Sequence, residues 1–205
     1  SLDRRQRQMC IRDSYYTKPP LTSWVIGLSY SLFGHHEWAV RLPAPWLHLA
    51  TSLVLWRAAD WLAGPAAGRI AAIIWMTLPS IALGSFVIST DTPLLLCWSA
   101  GVLALVGVQT GRLRERRGML LAGGAFGAAM LAKYAAIYGL AGLALFVLAT
   151  CVLSRDKDRQ EVIGWRGLGL FALGMVVVAS PNILWNLANE LTTVRHLGDL
   201  SLIHI

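Results

Sequence analysis

The chain alternates between long runs that carry no formal charge and short polar interruptions. A helix needs about 20 predominantly apolar residues to cross a bilayer, or roughly 17–25 when it is tilted. One helix over 119–153 would be about 52 Å long, so we divide this stretch at Lys133 and Tyr134. The resulting runs lie at 71–88, 94–108, 119–131, 135–153 and 168–185. Together with a helix over 43–61, they predict an all-α, polytopic transmembrane bundle of about six spans.

A further apolar segment over 21–33 is too short to span a bilayer. It begins after Pro19 and Pro20, which suit the start of a helix, and it ends at Gly34. We interpret it as an interfacial helix on the outer surface of the membrane. The turn at 90–93 is typical of a helix start, with Asp91 or Thr92 as the capping residue.

Composition and charge support a membrane protein and give it an orientation. Hydrophobic residues make up 56% of the chain, charged residues make up 14%, and the mean hydropathy is +0.55. A soluble domain of this length would need a more polar surface. The segments 57–69, 112–117 and 155–166 hold most of the basic residues, so the positive-inside rule places them in the cytoplasm. The intervening turns, which include Lys18, Asp91 and Lys133, then face outward.

Both ends of the chain are interpreted as foreign sequence. Residues 4–14 read RRQRQMCIRDS, and residues 200–205 read LSLIHI. Their back-translations match a tagmentation sequencing adapter and the reverse complement of the same element. We therefore expect 1–14 and 200–205 to be adapter-derived artefacts, with 15–199 as a fragment of a longer protein. The remaining 14 basic and nine acidic residues give a net charge of +5 in place of +7.

The outward-facing polar residues are the candidate functional groups. An ionisable side chain at the end of a span is costly unless it is paired, hydrated or used. Lys18, Asp91 and Lys133 are therefore expected to share one site, with Tyr134 and Arg41 as further members. Alternatives stay open, because Lys18 could instead anchor a surface helix by snorkelling and Asp91 could be a plain N-cap. The consecutive histidines at 35 and 36 are interpreted as exposed loop residues, not as metal ligands.

Five short motifs occur in order between Tyr15 and about Leu197. They are Tyr-Tyr-x-Lys-Pro-Pro-Leu, Leu-Phe-Gly-x-x-Glu-x-x-x-Arg-Leu-Pro, Thr-Asp-x-Pro-Leu, Ala-Lys-Tyr and Pro-x-x-x-Trp-Asn. With this hydropathy pattern, the chain resembles the bacterial GT-C membrane glycosyltransferases related to aminoarabinose transferase and protein O-mannosyltransferase. The resemblance implies transfer of a sugar from a polyprenyl-phosphate donor to a lipid, glycan or protein acceptor. It also implies a multi-pass protein of the bacterial cytoplasmic (inner) membrane, active on its periplasmic or extracellular side.

The same resemblance implies roles for particular residues. Lys18 would contact the donor phosphate, which needs a cation within hydrogen-bond reach. Asp91 would orient Lys18 or a substrate hydroxyl, and Lys133 would line the cavity. The catalytic base of an inverting enzyme of this kind would lie upstream of Tyr15, so no residue here is assigned that role. The fragment as given is therefore expected to be inactive.

Cofactors and partners follow from the same comparison of motifs. Relatives with a metal near this site have an acidic residue directly before the lysine, and Thr17 stands there in this chain. This substitution argues against a divalent metal, and no cofactor is predicted with certainty. The expected partners are the lipid-linked sugar donor, the acceptor and membrane lipids, but no nucleic acid. The competing hypothesis is a polytopic transporter or channel subunit, although no repeated half is visible.

Overall fold

The computed structural model describes residues 19–153 and 165–188, and this part of the chain contains helices but no strands. The predictions for 1–14, 15–18 and 200–205 fall outside the described residues. A 3-10 turn over Tyr134–Ala136 joins two of the helices. The helices are α1 (Leu21–Phe33), α2 (Glu37–Arg41), α3 (Pro43–Ala63), α4 (Pro65–Thr77), α5 (Pro79–Gly84), α6 (Asp91–Gln109), α7 (Glu115–Ala132), α8 (Ile137–Leu153) and α9 (Trp165–Ala188).

The long helices pack side by side around α7. Helix α7 lies between α6 and α9, while α3 packs against both α6 and α4. The core of this contact consists of Met119, Ala122 and Phe126 from α7 with Ala104 from α6 and Phe171 from α9. The Phe126 and Phe171 rings meet in a tilted arrangement, with centroids 5.7 Å apart, which is a favourable geometry for two aromatic side chains.

Small residues allow α7 and α9 to approach closely. A Cβ on Gly127 would lie 2.6 Å from the Met175 carbonyl oxygen, and a Cβ on Gly123 would overlap the Phe171 carbonyl. Gly124 also faces α9 but less closely, because a Cβ there would make only ordinary contact with Val178, at 3.6 Å. Close contact of this kind is typical of helix packing in membranes, where small residues let two backbones meet.

Several predicted boundaries agree with the structure. Helix α1 has the predicted bounds and ends at Gly34, whose φ of +82° favours glycine. The predicted break at Lys133 is also present, because that residue adopts an extended backbone (φ −161°, ψ 136°) between α7 and the 3-10 turn. In both cases the apolar run is interrupted at the glycine or lysine that the sequence indicated.

The apolar run over 71–88, predicted as one span, does not form one unbroken helix. Helix α4 ends at Thr77, and a separate short helix, α5, begins at Pro79. Leu78 between them is extended, with ψ at 125°. The cause is Pro79, because the ring of a proline disfavours helical geometry in the residue before it.

Two described helices, Asp91–Gln109 and Trp165–Leu187, are long and apolar enough to cross a membrane. Large apolar side chains also cover the outside of the bundle, including Leu121, Val177 and Leu184, each about 60% exposed. Exposed large apolar side chains in such number are typical of a surface that contacts lipid or another protein. The number of spans stays a prediction.

The two ends of the bundle differ sharply in charge. Asp91 and Lys133 meet at one end, while Trp61 and Arg112 meet at the other. At the second end, the described residues include seven arginines and two acids: Arg57, Arg69, Arg112, Arg114, Arg116, Arg117 and Arg166, with Asp60 and Glu115. At the first end the described charges cancel, with Glu37 and Asp91 against Arg41 and Lys133. The net charge of +5 on the described residues therefore lies entirely at the second end, called here the basic end.

Candidate functional site

The start of α6 and the end of α7 meet at an ion pair. Lys133 Nζ donates to Asp91 Oδ1 over 2.7 Å, and the two side chains are 44% and 53% exposed. Because water screens an exposed pair of this kind, it typically contributes only about 0.2–1 kcal/mol to folding. Its exposure also leaves both charges accessible to a ligand at the end of the bundle.

The interpretation of Asp91 or Thr92 as an N-cap is wrong. Thr90 occupies the N-cap position with helical backbone angles, and it makes no side-chain cap bond. Asp91 lies in the first turn, where a carboxylate is favoured by the helix dipole, and its side chain pairs with Lys133 instead. Thr92 is buried, with its Oγ1 3.4 Å from Ser89 Oγ. The structure thus gives Asp91 a lysine partner within the described residues that the sequence did not identify.

Tyr134 points away from that ion pair and toward α9. Its hydroxyl lies 3.4 Å from Asn182 Oδ1, which also accepts from Asn186 Nδ2 over 3.2 Å. Asn186 Nδ2 donates to the Asn182 carbonyl as well, over 3.0 Å. Asn186 is buried, and its Oδ1 has no partner within the described residues. The end of α7 is therefore tied to α6 through Lys133 and to α9 through Tyr134.

Asn182 and Asn186 are the polar groups of this region that the sequence analysis did not assign to the site. They lie one turn apart near the end of α9, beside a cavity of about 110 Å³ that Tyr134 and Asn182 line together with Met130 and Met175. This volume is large enough for water, and the polar atoms on one side could bind it. The available signal was the spacing of two asparagines, four residues apart, at the end of an otherwise apolar run.

The chain enters this region next to the ion pair. Pro19 and Pro20 are buried, and Leu21 packs against a buried cluster of Leu94, Ala129, Ala132 and Ala136. Leu94 lies one turn after Asp91, and Ala132 directly precedes Lys133. Lys18 itself is outside the described residues, but it is adjacent in sequence to the buried Pro19.

Arg41 is not brought to the ion pair by any contact described for this part of the chain. It is exposed at the end of α2, a short helix that packs against α1 and α3. His35 and His36 are exposed as predicted and contact Tyr30 and Trp38, respectively.

A metal site is not evident in the described ranges, which contain no group of three or more His, Cys, Asp or Glu side chains able to hold an ion. The position that bears on this question, Thr17, lies outside those ranges. The prediction about a divalent metal therefore stays a prediction, and the ion pair already provides a cation at this end of the bundle.

The comparison with known proteins decides the family. Residues 17–185 match the family model of dolichyl-phosphate-mannose-protein mannosyltransferases. The chain belongs to this mannosyltransferase family. It is also 35% identical over 191 residues to the lipid A galacturonosyltransferase RgtD of Rhizobium johnstonii, covering 91% of this chain and 38% of that protein. The GT-C glycosyltransferase resemblance is thereby confirmed.

Two solved structures show the same fold as this member of the mannosyltransferase family. They are ArnT from Cupriavidus metallidurans in the apo state and the same protein bound to undecaprenyl phosphate. Each matches with a TM-score of 0.70 and 27% identity over 86% of this chain. The chain spans only 33% and 32% of those two chains, respectively. The all-helical GT-C fold is confirmed, and the comparisons do not support a transporter.

Proposed function

We propose that this chain is part of a multi-pass enzyme that transfers a sugar from a polyprenyl-phosphate donor to a lipid, glycan or protein acceptor. Family membership supports transfer, and the bound state of ArnT shows a relative that binds a polyprenyl phosphate. The structural observation that carries the proposal is the exposed Asp91–Lys133 pair at one end of an apolar bundle. A cation in that place suits the phosphate of a lipid whose chain lies in the membrane.

The proposed reaction places the charge change on the donor phosphate. The acceptor oxygen attacks the anomeric carbon, the bond from that carbon to the phosphate oxygen breaks, and the configuration inverts. Lys133 and Lys18 would stabilise the negative charge that develops on the departing polyprenyl phosphate. The acceptor proton would pass to a base that is not assigned to any residue of this chain. Asp91 would hold the Lys133 ammonium in place until the phosphate arrives.

The proposal also includes an orientation in the membrane. About six helices would span the bacterial cytoplasmic membrane, with α1 lying along its outer surface. The ion pair would face the periplasm, while the basic end would face the cytoplasm, as the positive-inside rule requires. The strong charge difference between the two ends supports this arrangement.

Sugar transfer by the full-length protein tests the role of Lys133. Lys133→Met removes the cation, and we expect the rate at sub-saturating donor to fall about ten-fold or more, because a hydrogen bond to a charged group is lost. Lys133→Arg keeps the charge and should recover part of that loss. The matched control is Arg69→Gln, which removes an exposed cation at the basic end. An unchanged rate for Lys133→Met, in protein that folds normally, would remove Lys133 from the site.

A further inference from the structure

At the basic end, two arginines lie on the same indole ring. The Arg57 guanidinium carbon is 5.3 Å from the centre of the Trp61 ring, and the Arg112 guanidinium carbon is 5.7 Å from it. Arg57 is one turn before Trp61 in α3, whereas Arg112 lies in the turn between α6 and α7. Trp61 therefore holds the two cations near each other, although they come from different parts of the chain.

Packing against α6 fixes the position of the indole ring. Trp61 packs against α6 at Gly107, where an added Cβ would lie 3.0 Å from Trp61 Cζ3. The turn that carries Arg112 is also well defined, because Leu113 N–H donates to the Gly107 carbonyl over 2.8 Å. Gly111 in this turn has a φ of +69°, which glycine adopts readily. A guanidinium placed on such a ring loses less side-chain freedom when it binds an anion.

These two cations share a single carboxylate partner within the described residues. Asp60, three positions later in the same helix, is 3.5 Å from Arg57, and the arginine side chain is 54% exposed. For Arg112, the described part of the chain provides no ion pair within 4 Å. Three more arginines, at 114, 116 and 117, are exposed just beyond the same turn. The surface around Trp61 therefore carries an excess of positive charge.

The side chains around the two arginines are of the kinds expected at the depth of the lipid headgroups. Trp61 is near the last turn of α3, where an aromatic belt is expected. Leu62 and Leu53 of the same helix expose 60% and 52% of their surface. An apolar helix surface beside a pair of exposed cations is complementary to a molecule with acyl chains and an anionic head, and it suits neither a nucleic acid nor a soluble acidic protein.

We propose that Arg57, Trp61 and Arg112 form a binding site for the phosphate headgroup of an anionic phospholipid. The two guanidinium groups would donate to the phosphate oxygens, and the acyl chains would lie along the exposed apolar side chains of α3. The site lies at the end of the bundle opposite the Asp91–Lys133 pair, so it is separate from the proposed donor site. The bound lipid would belong to the leaflet at the basic end of the bundle.

Native mass spectrometry of the full-length protein tests this site with two probes of equal chain length, phosphatidylglycerol and phosphatidylcholine. We expect phosphatidylglycerol to bind more tightly, and we expect Arg112→Gln to weaken its binding about five-fold. The double variant Arg57→Gln/Arg112→Gln should weaken it about 25-fold. Arg69→Gln, which removes the same charge from the basic end without contact to Trp61, should change it less than about two-fold.

A variant that keeps both charges and a competition with inorganic phosphate provide two further tests. The variant Arg57→Lys/Arg112→Lys keeps both charges, so it should bind more tightly than the double glutamine variant if that variant remains folded. Equal binding of the two lipids would overturn the proposal, as would an Arg69→Gln effect as large as that of Arg112→Gln. If millimolar inorganic phosphate displaced phosphatidylglycerol completely, the site would be one for free phosphate, and the lipid assignment would be wrong.

Discussion

Two neighbouring residues connect three helices at the candidate site. Lys133 has an extended backbone directly after α7, so its side chain reaches α6 while that of Tyr134 reaches α9. Had α7 continued without a break, these consecutive side chains would have pointed about 100° apart around one helix. The interruption therefore determines which partners the two residues can contact.

The exposure of the ion pair allows stability and function to be separated. We expect Asp91→Asn to leave the melting temperature of the full-length protein almost unchanged, because an exposed pair contributes only about 0.2–1 kcal/mol. The same variant should lower the donor-dependent transfer rate, since Lys133 loses the carboxylate that holds it 2.7 Å away. Thermal unfolding and transfer assays on one preparation provide the test. Asp60→Asn, which breaks the ion pair at the basic end, is the control, and an equal rate loss there would contradict the assignment.

The role of Lys18 gives a second prediction at this scale. Lys18→Ala in the full-length protein should reduce transfer at sub-saturating donor by about 10–150-fold, the equivalent of one lost bond to a charged group. Lys18→Arg should restore part of the rate, and Thr17→Ala should have little effect if no metal binds there. A wild-type rate for Lys18→Ala would leave that lysine as a surface anchor of α1.

The charged residues of the site were easier to predict from sequence than the neutral ones. Lys133 and Asp91 stand out because a charge at the end of an apolar run has an energetic cost that requires an explanation. Asn182 and Asn186 carry no charge, and their spacing is a weaker signal because it also fits an ordinary helix face. The pairing of Asp91 with Lys133 also required the structure, because it joins residues 42 positions apart.

At the scale of the helices, α7 depends on one face of small residues. We expect Gly123→Ala to destabilise the full-length protein by about 1–3 kcal/mol, because the new methyl group would overlap the backbone of α9 at Phe171. Gly124→Ala is the matched control. Its methyl group would make ordinary contact with Val178, and alanine favours a helix more than glycine does. Thermal unfolding in detergent distinguishes them, and equal melting temperatures would contradict the described packing.

The helix boundaries show what hydropathy can and cannot provide. The end of α1 and the break at Lys133 were predictable because Gly34 and a lysine interrupt apolar runs. The division of 71–88 was missed because the run is apolar throughout, and the signal was a single proline at 79. Hydropathy measures whether a segment prefers lipid, whereas the backbone restriction imposed by Pro79 is independent of that preference.

For the whole molecule, the proposed orientation predicts the accessibility of introduced cysteines. In a full-length protein with its native cysteines replaced, a cysteine at Ser89 should react with a membrane-impermeant reagent added outside the cytoplasmic membrane. A cysteine at Arg114 should react only after the membrane is permeabilised, because it lies at the basic end. Labelling of Arg114→Cys in intact spheroplasts would overturn the orientation.

The separation of charge between the two ends also has an electrical consequence. Moving one elementary charge across a potential of about 100 mV requires roughly 2.3 kcal/mol. The described residues carry a net charge of +5, all at the basic end. With that end on the negative side, inversion of the bundle would require about 11.5 kcal/mol of electrical work before the desolvation of any arginine is counted. In an energised membrane, the potential itself would therefore help to keep the Asp91–Lys133 pair facing the same compartment.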